Sequence, residues 1–296
     1  MILSSTKNCD IIVLTYFDEK RTYDMIHVPR ACAFHDMAGY GKCALTVVIP
    51  VMSACGVEVC PVPTANLSTN TSIKGFQMTD FTENIPQYLR HWADIGVKLD
   101  GIYSGFLGSA EQIDMVAEMK KTFNPPLFVI DPVMGDNGKR YKTFDDFMCG
   151  KMKEIAKSAD VITPNLTEAM ILTDGDYGSF VVTEENLKDV CLKIQKLGAK
   201  SVVLTGAPYG DELWTAVLDK NGLFDIVRQK KLPINMHGTG DTFTSVLCGK
   251  MLTGKSLLES AQIAADFVSY AMEYSYGVED YIVRGVVFEP LLHKLR

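Results

Sequence analysis

The sequence is poor in several features that would announce particular classes of protein. It has two tryptophans and five histidines, and its eight cysteines include no C-x-x-C pair. No histidine clusters with Cys9, Cys32, Cys43, Cys55, Cys60, Cys149, Cys191 or Cys248, so a zinc site has no basis. Most of these cysteines lie in apolar stretches, where a free thiol packs as a small hydrophobe. They read as reduced thiols of a cytoplasmic protein rather than a disulfide scaffold. A long apolar run is also missing. The longest, Ala44 to Val59, is broken by Thr46, Pro50, Ser53, Gly56 and Glu58, whereas a spanning helix needs ~20 apolar residues. The short run Ile11 to Phe17 sits between Asp10 and Asp18 without the basic flank of a secretory leader. Positive charge is not in excess: 29 Lys and Arg against 36 Asp and Glu leave a net charge of −7. A nucleic-acid partner is therefore not expected, nor a membrane one. There is no GxxxxGK[ST] phosphate loop, no dinucleotide-binding glycine fingerprint, no internal repeat and no Pro/Gly-rich linker.

What is present is a chain of 296 residues, 47% hydrophobic, long enough to bury a large core. Strand-like and helix-like stretches alternate. Pro29 to Phe34, Val57 to Val62, Gly101 to Ser104, Pro126 to Asp131, Ala159 to Thr163 and Lys200 to Thr205 have the composition of strands. Gly41 to Cys55 (with Pro50 as a kink and Gly56 as a stop), Phe81 to Ile95, Ala110 to Phe123 and Glu184 to Leu197 have that of helices, as do Gly240 to Leu252 and Ser256 to Tyr274. Glu212 to Val217 and Leu223 to Val227 suggest a hairpin. Trp92, Phe144 and Phe147 are expected in the core. The fold class predicted is α/β: a three-layer sandwich with a mostly parallel open sheet and helices on both faces. Residues 28–296 form one domain in this reading, and residues 1–27 an N-terminal extension. Ligands of such sheets bind beyond the carboxyl ends of the strands, so the polar residues after each strand are the candidates for function.

Three of those segments carry chemistry. Gly238-Thr239-Gly240-Asp241 opens an apolar helix, and unpaired N–H groups at such a start bind anions. A carboxylate beside an anion hole suits a general base that deprotonates a hydroxyl attacking phosphorus; alternatively Asp241 caps the helix. Asp131-Pro132-Val133-Met134-Gly135-Asp136-Asn137-Gly138-Lys139 follows a buried strand and offers two carboxylates for magnesium, or an Asx turn. Asn165 and Glu168 follow Thr163-Pro164 and are either polar ligands of the same site or a capping box. His35 and His237 flank the first and last of the glycine loops; a packing role suits an isolated histidine best.

Together, "HDMAGYGKCALTVVIPVMSACGVEVCPVPTANLSTNT", "YSGFLGSAEQID", "DPVMGDNGKRY", "TPNLTEA" and "GTGDTF" resemble the ribokinase superfamily, and within it the vitamin B6 (pyridoxal, pyridoxine, pyridoxamine) kinases. The resemblance runs from about Val28 to about Pro290. It implies a ribokinase-like fold, a homodimer, and ATP-dependent phosphorylation of the 5′-hydroxymethyl group of a B6 vitamer. It implies Asp241 as the base, with Gly238, Thr239 and Gly240 on the transferring phosphate. Glu168, Asp136 and Asp131 would organise Mg2+, with a monovalent cation such as K+ as a further ligand. Thr163, Asn165, Thr205 and Gly206 would line the ATP side. Asp36, Leu67, Asn70, Thr71, Phe106, Met236 and His237 would line the vitamer side. Asn70 and Ser72 stand where the family often has a histidine and a glycine, which bears on substrate preference. The loop from Thr69 to Phe76 and the segment from Asp136 to Tyr141 are expected as lids. Hydroxymethylpyrimidine kinases share the same chemistry, and a non-catalytic vitamer or nucleotide binder is the reading from a different class.

Overall fold

A computed structural model describes residues 27–296. Residues 1–26, with the strand-like run Ile11 to Phe17 and nearly all of the expected extension, lie outside it. Among the described residues, one sheet has nine strands. The first is β1 (Arg30–Tyr40), followed by α1 (Leu45–Ala54), β2 (Glu58–Thr69), β3 (Met78–Asp80) and α2 (Ile85–Asp94). Then come β4 (Gly101–Ser104), α3 (Ala110–Phe123), β5 (Leu127–Ile130), the small hairpin β6 (Gly135–Asp136) and β7 (Lys139–Arg140), and α4 (Asp146–Ala156). The chain continues through β8 (Val161–Ile162), α5 (Leu166–Thr173), α6 (Glu184–Leu197), β9 (Ser201–Tyr209), β10 (Glu212–Leu218) and β11 (Phe224–Lys230). It closes with α7 (Thr239–Leu252), α8 (Leu257–Tyr276), the one-turn α9 (Tyr281–Arg284) and a 3-10 helix (Glu289–Leu295). The sheet order is β11-β10-β9-β8-β5-β4-β1-β2-β3. Strands from β9 to β2 run parallel, and the antiparallel β10-β11 ribbon and β3 close the two edges.

Strand alternation sends neighbouring side chains to opposite faces. Cys32, Phe34, Ile102, Phe128 and Ile130 enter the core shared with α2 to α6, while Ala31, Ala33, Tyr103 and Val129 enter the core beneath α1, α7 and α8. The expected architecture of helices on both faces is therefore the one observed.

Several boundaries differ from expectation, each for an identifiable reason. β1 continues six residues past Phe34 because Ala38 and Tyr40 go on pairing with Leu67 and Thr69; the polar and glycine residues His35, Asp36 and Gly39 hide this in the sequence. β2 accommodates Pro61 and Pro63 because β3 pairs only with residues 65–67, so the prolines lie on an open edge. α1 begins at Leu45, not Gly41, and ends at Ala54, two residues before Gly56, whose φ is +90°. α4 is absent from the sequence reading; its start is set by the Asp145 carboxylate, which accepts from Met148 N at 2.8 Å. That helix carries Phe147 to the surface, where it is 64% exposed beneath Lys151, so Phe147 is not a core residue. Phe144 is buried, as expected.

Candidate active site

The chain passes from β1 outward to β2, then returns to place β4 on β1's other side. This reversal opens a crevice at the carboxyl ends of β1 and β4, the usual ligand site of a doubly wound sheet. A register shift between His35 and Met37 lets two residues of β1 span three of β2 just where Asp36 leaves the core. Such bulges re-aim side chains beside sites.

Facing this crevice is the start of α7. Gly238 precedes the helix with φ +80°, and a Cβ there would lie 2.5 Å from the Lys42 carbonyl oxygen. No other residue fits that turn. The first turn has no side-chain cap, so its N–H groups are free for an anion. The Thr239 hydroxyl donates to Met236 O at 3.2 Å and braces the turn. Asp241 does not cap the helix. Its Oδ2 accepts from Ala44 N at 2.9 Å, across the gap to the loop between β1 and α1. Burial pushes the Asp241 carboxyl up from its ordinary value, and the Ala44 hydrogen bond opposes that push.

Three more acids share this end of the sheet. Asp36 is buried, and desolvation together with the nearby Asp241 charge raises its pKa to about 7. Asp131 and Glu168 are buried neighbours, both pushed well up, chiefly by desolvation and then by other carboxylates: Asp241 for Asp131, and Asp131 for Glu168. The capping box at Asn165 is present: Glu168 N donates to Asn165 Oδ1 at 3.0 Å and Asn165 N to Glu168 Oε2 at 2.8 Å. Glu168 does more than cap. Its Oε1 accepts from Met134 N at 3.1 Å, and Asn165 Nδ2 donates to Gly135 O at 2.8 Å. The β8–α5 turn and the loop after β5 are thus stitched together. Asp136 is exposed on the hairpin and both of its oxygens accept from Asn137, so it does not join Asp131 and Glu168 in their buried cluster.

A divalent cation fits this set. Among the described residues Asp131 has no side-chain hydrogen bond, and a buried carboxylate beside two others calls for a positive partner. No three His, Cys, Asp or Glu side chains of the described residues gather closely enough to form a cage.

The remaining predicted residues fall on two sides of α7. On one side, Thr205 N donates to Pro164 O at 2.9 Å, and Asn165 forms a bridge with Thr205. Thr163, Asn165, Thr205 and Gly206 therefore lie together, just past β8 and midway along β9. Thr163 is also tied to α7, since Thr244 Oγ1 donates to Thr163 Oγ1 at 3.1 Å. On the other side, Leu67 and Asn70 are buried at the end of β2, with Thr71 exposed beyond them. Asn70 Oδ1 accepts from Ser72 N at 3.1 Å, while Nδ2 is buried without a partner beside Gly41. Phe106 follows β4 and packs edge-on against Phe144 with centroids 6.4 Å apart. Met236 is buried and His237 exposed, immediately before Gly238. The two expected lids are hairpin tips: residues 70–77 between β2 and β3, and residues 137–138 between β6 and β7. His35 is fully buried and edge-on to Tyr103 at 4.3 Å; burial lowers its pKa to about 3. It is a neutral packing residue.

Sequence reasoning missed Ala44 and Tyr141. Ala44 acts through its backbone, which no side-chain motif reveals. Tyr141 lies near enough to Glu168, Asp136, Asp131 and Asp241 that burial and all four charges raise its pKa. Its position at the end of the Gly-rich acidic loop was the available signal.

The fold and this arrangement define an α/β kinase. A family model described as phosphomethylpyrimidine kinase matches residues 46–284, and the chain belongs to that family. A candidate phosphomethylpyrimidine kinase from Bacteroides thetaiotaomicron is 37% identical, with a TM-score of 0.88 over 93% of this chain and 96% of that one. An orthorhombic form of that protein was solved with pyridoxal and superposes with a TM-score of 0.86 over 91% of this chain and 96% of that one. The pyridoxine kinase of Bacillus subtilis is 25% identical over 84% of this chain and 85% of its own length. A hydroxymethylpyrimidine/phosphomethylpyrimidine kinase from Aquifex aeolicus is 28% identical over 60% of this chain and 68% of its own.

Proposed function

We propose that this kinase transfers the γ-phosphoryl group of ATP to the 5′-hydroxymethyl group of a B6 vitamer. The observation that carries the reading is Asp241, turned away from a capping role and held by Ala44 N at the mouth of an uncapped helix. A base there faces a hydroxyl, and the adjacent N–H groups face the phosphoryl oxygens.

Phosphoryl transfer asks mainly for alignment and charge stabilisation. Gly238, Thr239 and Gly240 supply N–H donors that receive charge on the transferred group. Asp241 accepts the hydroxyl proton as the oxygen attacks phosphorus. Thr163, Asn165, Thr205 and Gly206 hold the nucleotide against the end of β8 and the middle of β9. Asp131 and Glu168 would hold Mg2+ through water and phosphate, and the ion would supply neutralisation of the triphosphate charge. At the acceptor end, Asp36 within β1 and the unpartnered Nδ2 of Asn70 just past β2 offer an acceptor and a donor. A pyridinium ring with a ring-oxygen substituent, the zwitterion of a hydroxypyridine, offers a matching N–H and oxygen. The pyridoxal-bound relative at 37% identity supports a pyridine over a pyrimidine.

The test is ADP release with Mg-ATP and pyridoxal, pyridoxine, pyridoxamine or hydroxymethylpyrimidine. Turnover on a B6 vitamer, reduced at least ~10²-fold in Asp241→Asn with ATP affinity retained, is the expected result. Turnover on hydroxymethylpyrimidine alone would move the substrate assignment and keep the mechanism. ATP binding without turnover on any of them would identify a binder.

A further inference from the structure

The segment between α9 and the 3-10 helix has no role in the predicted site, yet its backbone is tied to two loops that flank that site. Gly285 has φ +78° and ψ −170°, a region open essentially to glycine alone. A Cβ there would lie 2.8 Å from His237 O and 3.3 Å from Lys42 O. On either side of Gly285 the backbone makes two long-range hydrogen bonds. Lys42 N donates to Arg284 O at 2.9 Å, and Val286 N donates to His237 O at 3.0 Å. Val287 N then donates to the buried Ser275 Oγ at 2.7 Å, which anchors the segment to α8. The Lys42 ammonium pairs with Glu289 at 2.8 Å and lies over the Phe288 ring.

The two bonded partners adjoin the two halves of the proposed reaction centre. Lys42 lies two residues before Ala44, whose N–H holds Asp241. His237 lies immediately before Gly238, where the anion-binding turn begins. We propose that Arg284–Val286 is a positioning clamp for phosphoryl transfer, with Gly285 as the residue that lets it close: it sets the distance between the loop that holds the base and the turn that holds the phosphate. The inference rests on the reading of Asp241 as the base. Residues of the clamp act through Asp241 and the turn. Misplacement of a reacting group by about 1 Å can cost ~10²-fold in rate, so a clamp of this kind is read in kcat rather than in binding.

The test is a double-mutant cycle between Gly285→Ala and Asp241→Asn, read as kcat and as KM for ATP and for the accepted alcohol. Gly285→Ala alone should lower kcat by ~10- to 100-fold with both KM values within about threefold of the parent. In the Asp241→Asn background the same substitution should lower kcat by less than about threefold, because the base it positions is gone. Equal losses in both backgrounds, or a loss carried by the KM for ATP, would overturn the clamp and leave the base intact. An unchanged kcat in Asp241→Asn alone would instead overturn the base. If Gly285→Ala does not fold, Ser275→Ala leaves Gly285 in place and removes the acceptor of Val287 N. It should show the same non-additivity at smaller size, and additivity there overturns the proposal equally.

Discussion

Ala44 donates its backbone N–H to Asp241 Oδ2 at 2.9 Å, joining residues 197 positions apart, and it does so from a strained conformation. With φ 51° and ψ −132°, Ala44 occupies backbone space that glycine favours and a side chain resists. The local sequence tolerates this because Ala44 is buried and its neighbour Met37 forms a bridge to it. Strain of this kind persists where surrounding structure over-determines it.

Replacing Ala44 with glycine should therefore relieve strain and keep the N–H. Stability should rise by about 1 kcal/mol, since relief of 1–3 kcal/mol exceeds the entropic cost of a new glycine. Turnover should stay near that of the parent. Urea unfolding and steady-state kinetics check both; a less stable Ala44→Gly protein would mean that Ala44 is not strained.

Asp36 makes stability depend on pH in an unusual direction for an acid. Its pKa rises from 3.8 to about 7 on folding, through burial first and the Asp241 charge second. The folded state then binds the proton more tightly than the unfolded state. Its contribution is fully present below pH 3.8 and is lost as pH rises through about 7. Asp36→Asn removes this loss. The melting temperature of the variant, relative to the parent, should climb between pH 5 and pH 8 in the absence of ligands. A flat difference across that interval would show that Asp36 does not titrate there.

Glu168 should prove structural and functional at once. In Glu168→Gln one backbone N–H, from Met134 or Asn165, meets an amide NH2 in place of an oxygen. Leaving a buried donor unsatisfied costs about 1–3 kcal/mol, measurable by denaturant unfolding. The Mg2+ concentration needed for half-maximal turnover should also rise, as the cation would lose one of its two buried acids. Removal of divalent ions by chelation should abolish turnover in the parent. Loss of stability with an unchanged Mg2+ titration would restrict Glu168 to the capping and stitching role.

Much of the fold was legible because its signals are local. The apolar runs of β5 and β8 and the periodicity of α3 and α6 need no tertiary information, and α3 and α6 fall at the expected ends. Glycine stops such as Gly56 are equally local. The elements misjudged owe their form to partners. β1 and β2 run long because each supplies the other's hydrogen bonds past the point where apolar composition ends. Phe147 looks like a core residue until α4 turns that face to solvent. In the site, the acids and the glycine turn were visible as residue types, but both Asp136 and Asp131 were expected beside the cation, Asp136 ahead of Asp131. Burial separates them: one is exposed and satisfied by Asn137, the other is buried and unpaired.

By itself the sequence determined the class of fold, the strand ends where polar residues collect, and the identity of the acid beside the glycine turn that opens α7. These follow from periodicity, turn chemistry and residue type, all of which act over a few positions. Only the tertiary structure decided which way Asp241 points, which carboxylates share a charge environment, and that Arg284–Val286 joins the Lys42 loop to the His237 turn. Those depend on desolvation and on backbone groups brought together across the chain, and a backbone N–H such as Ala44's is the same in every sequence until the fold aims it.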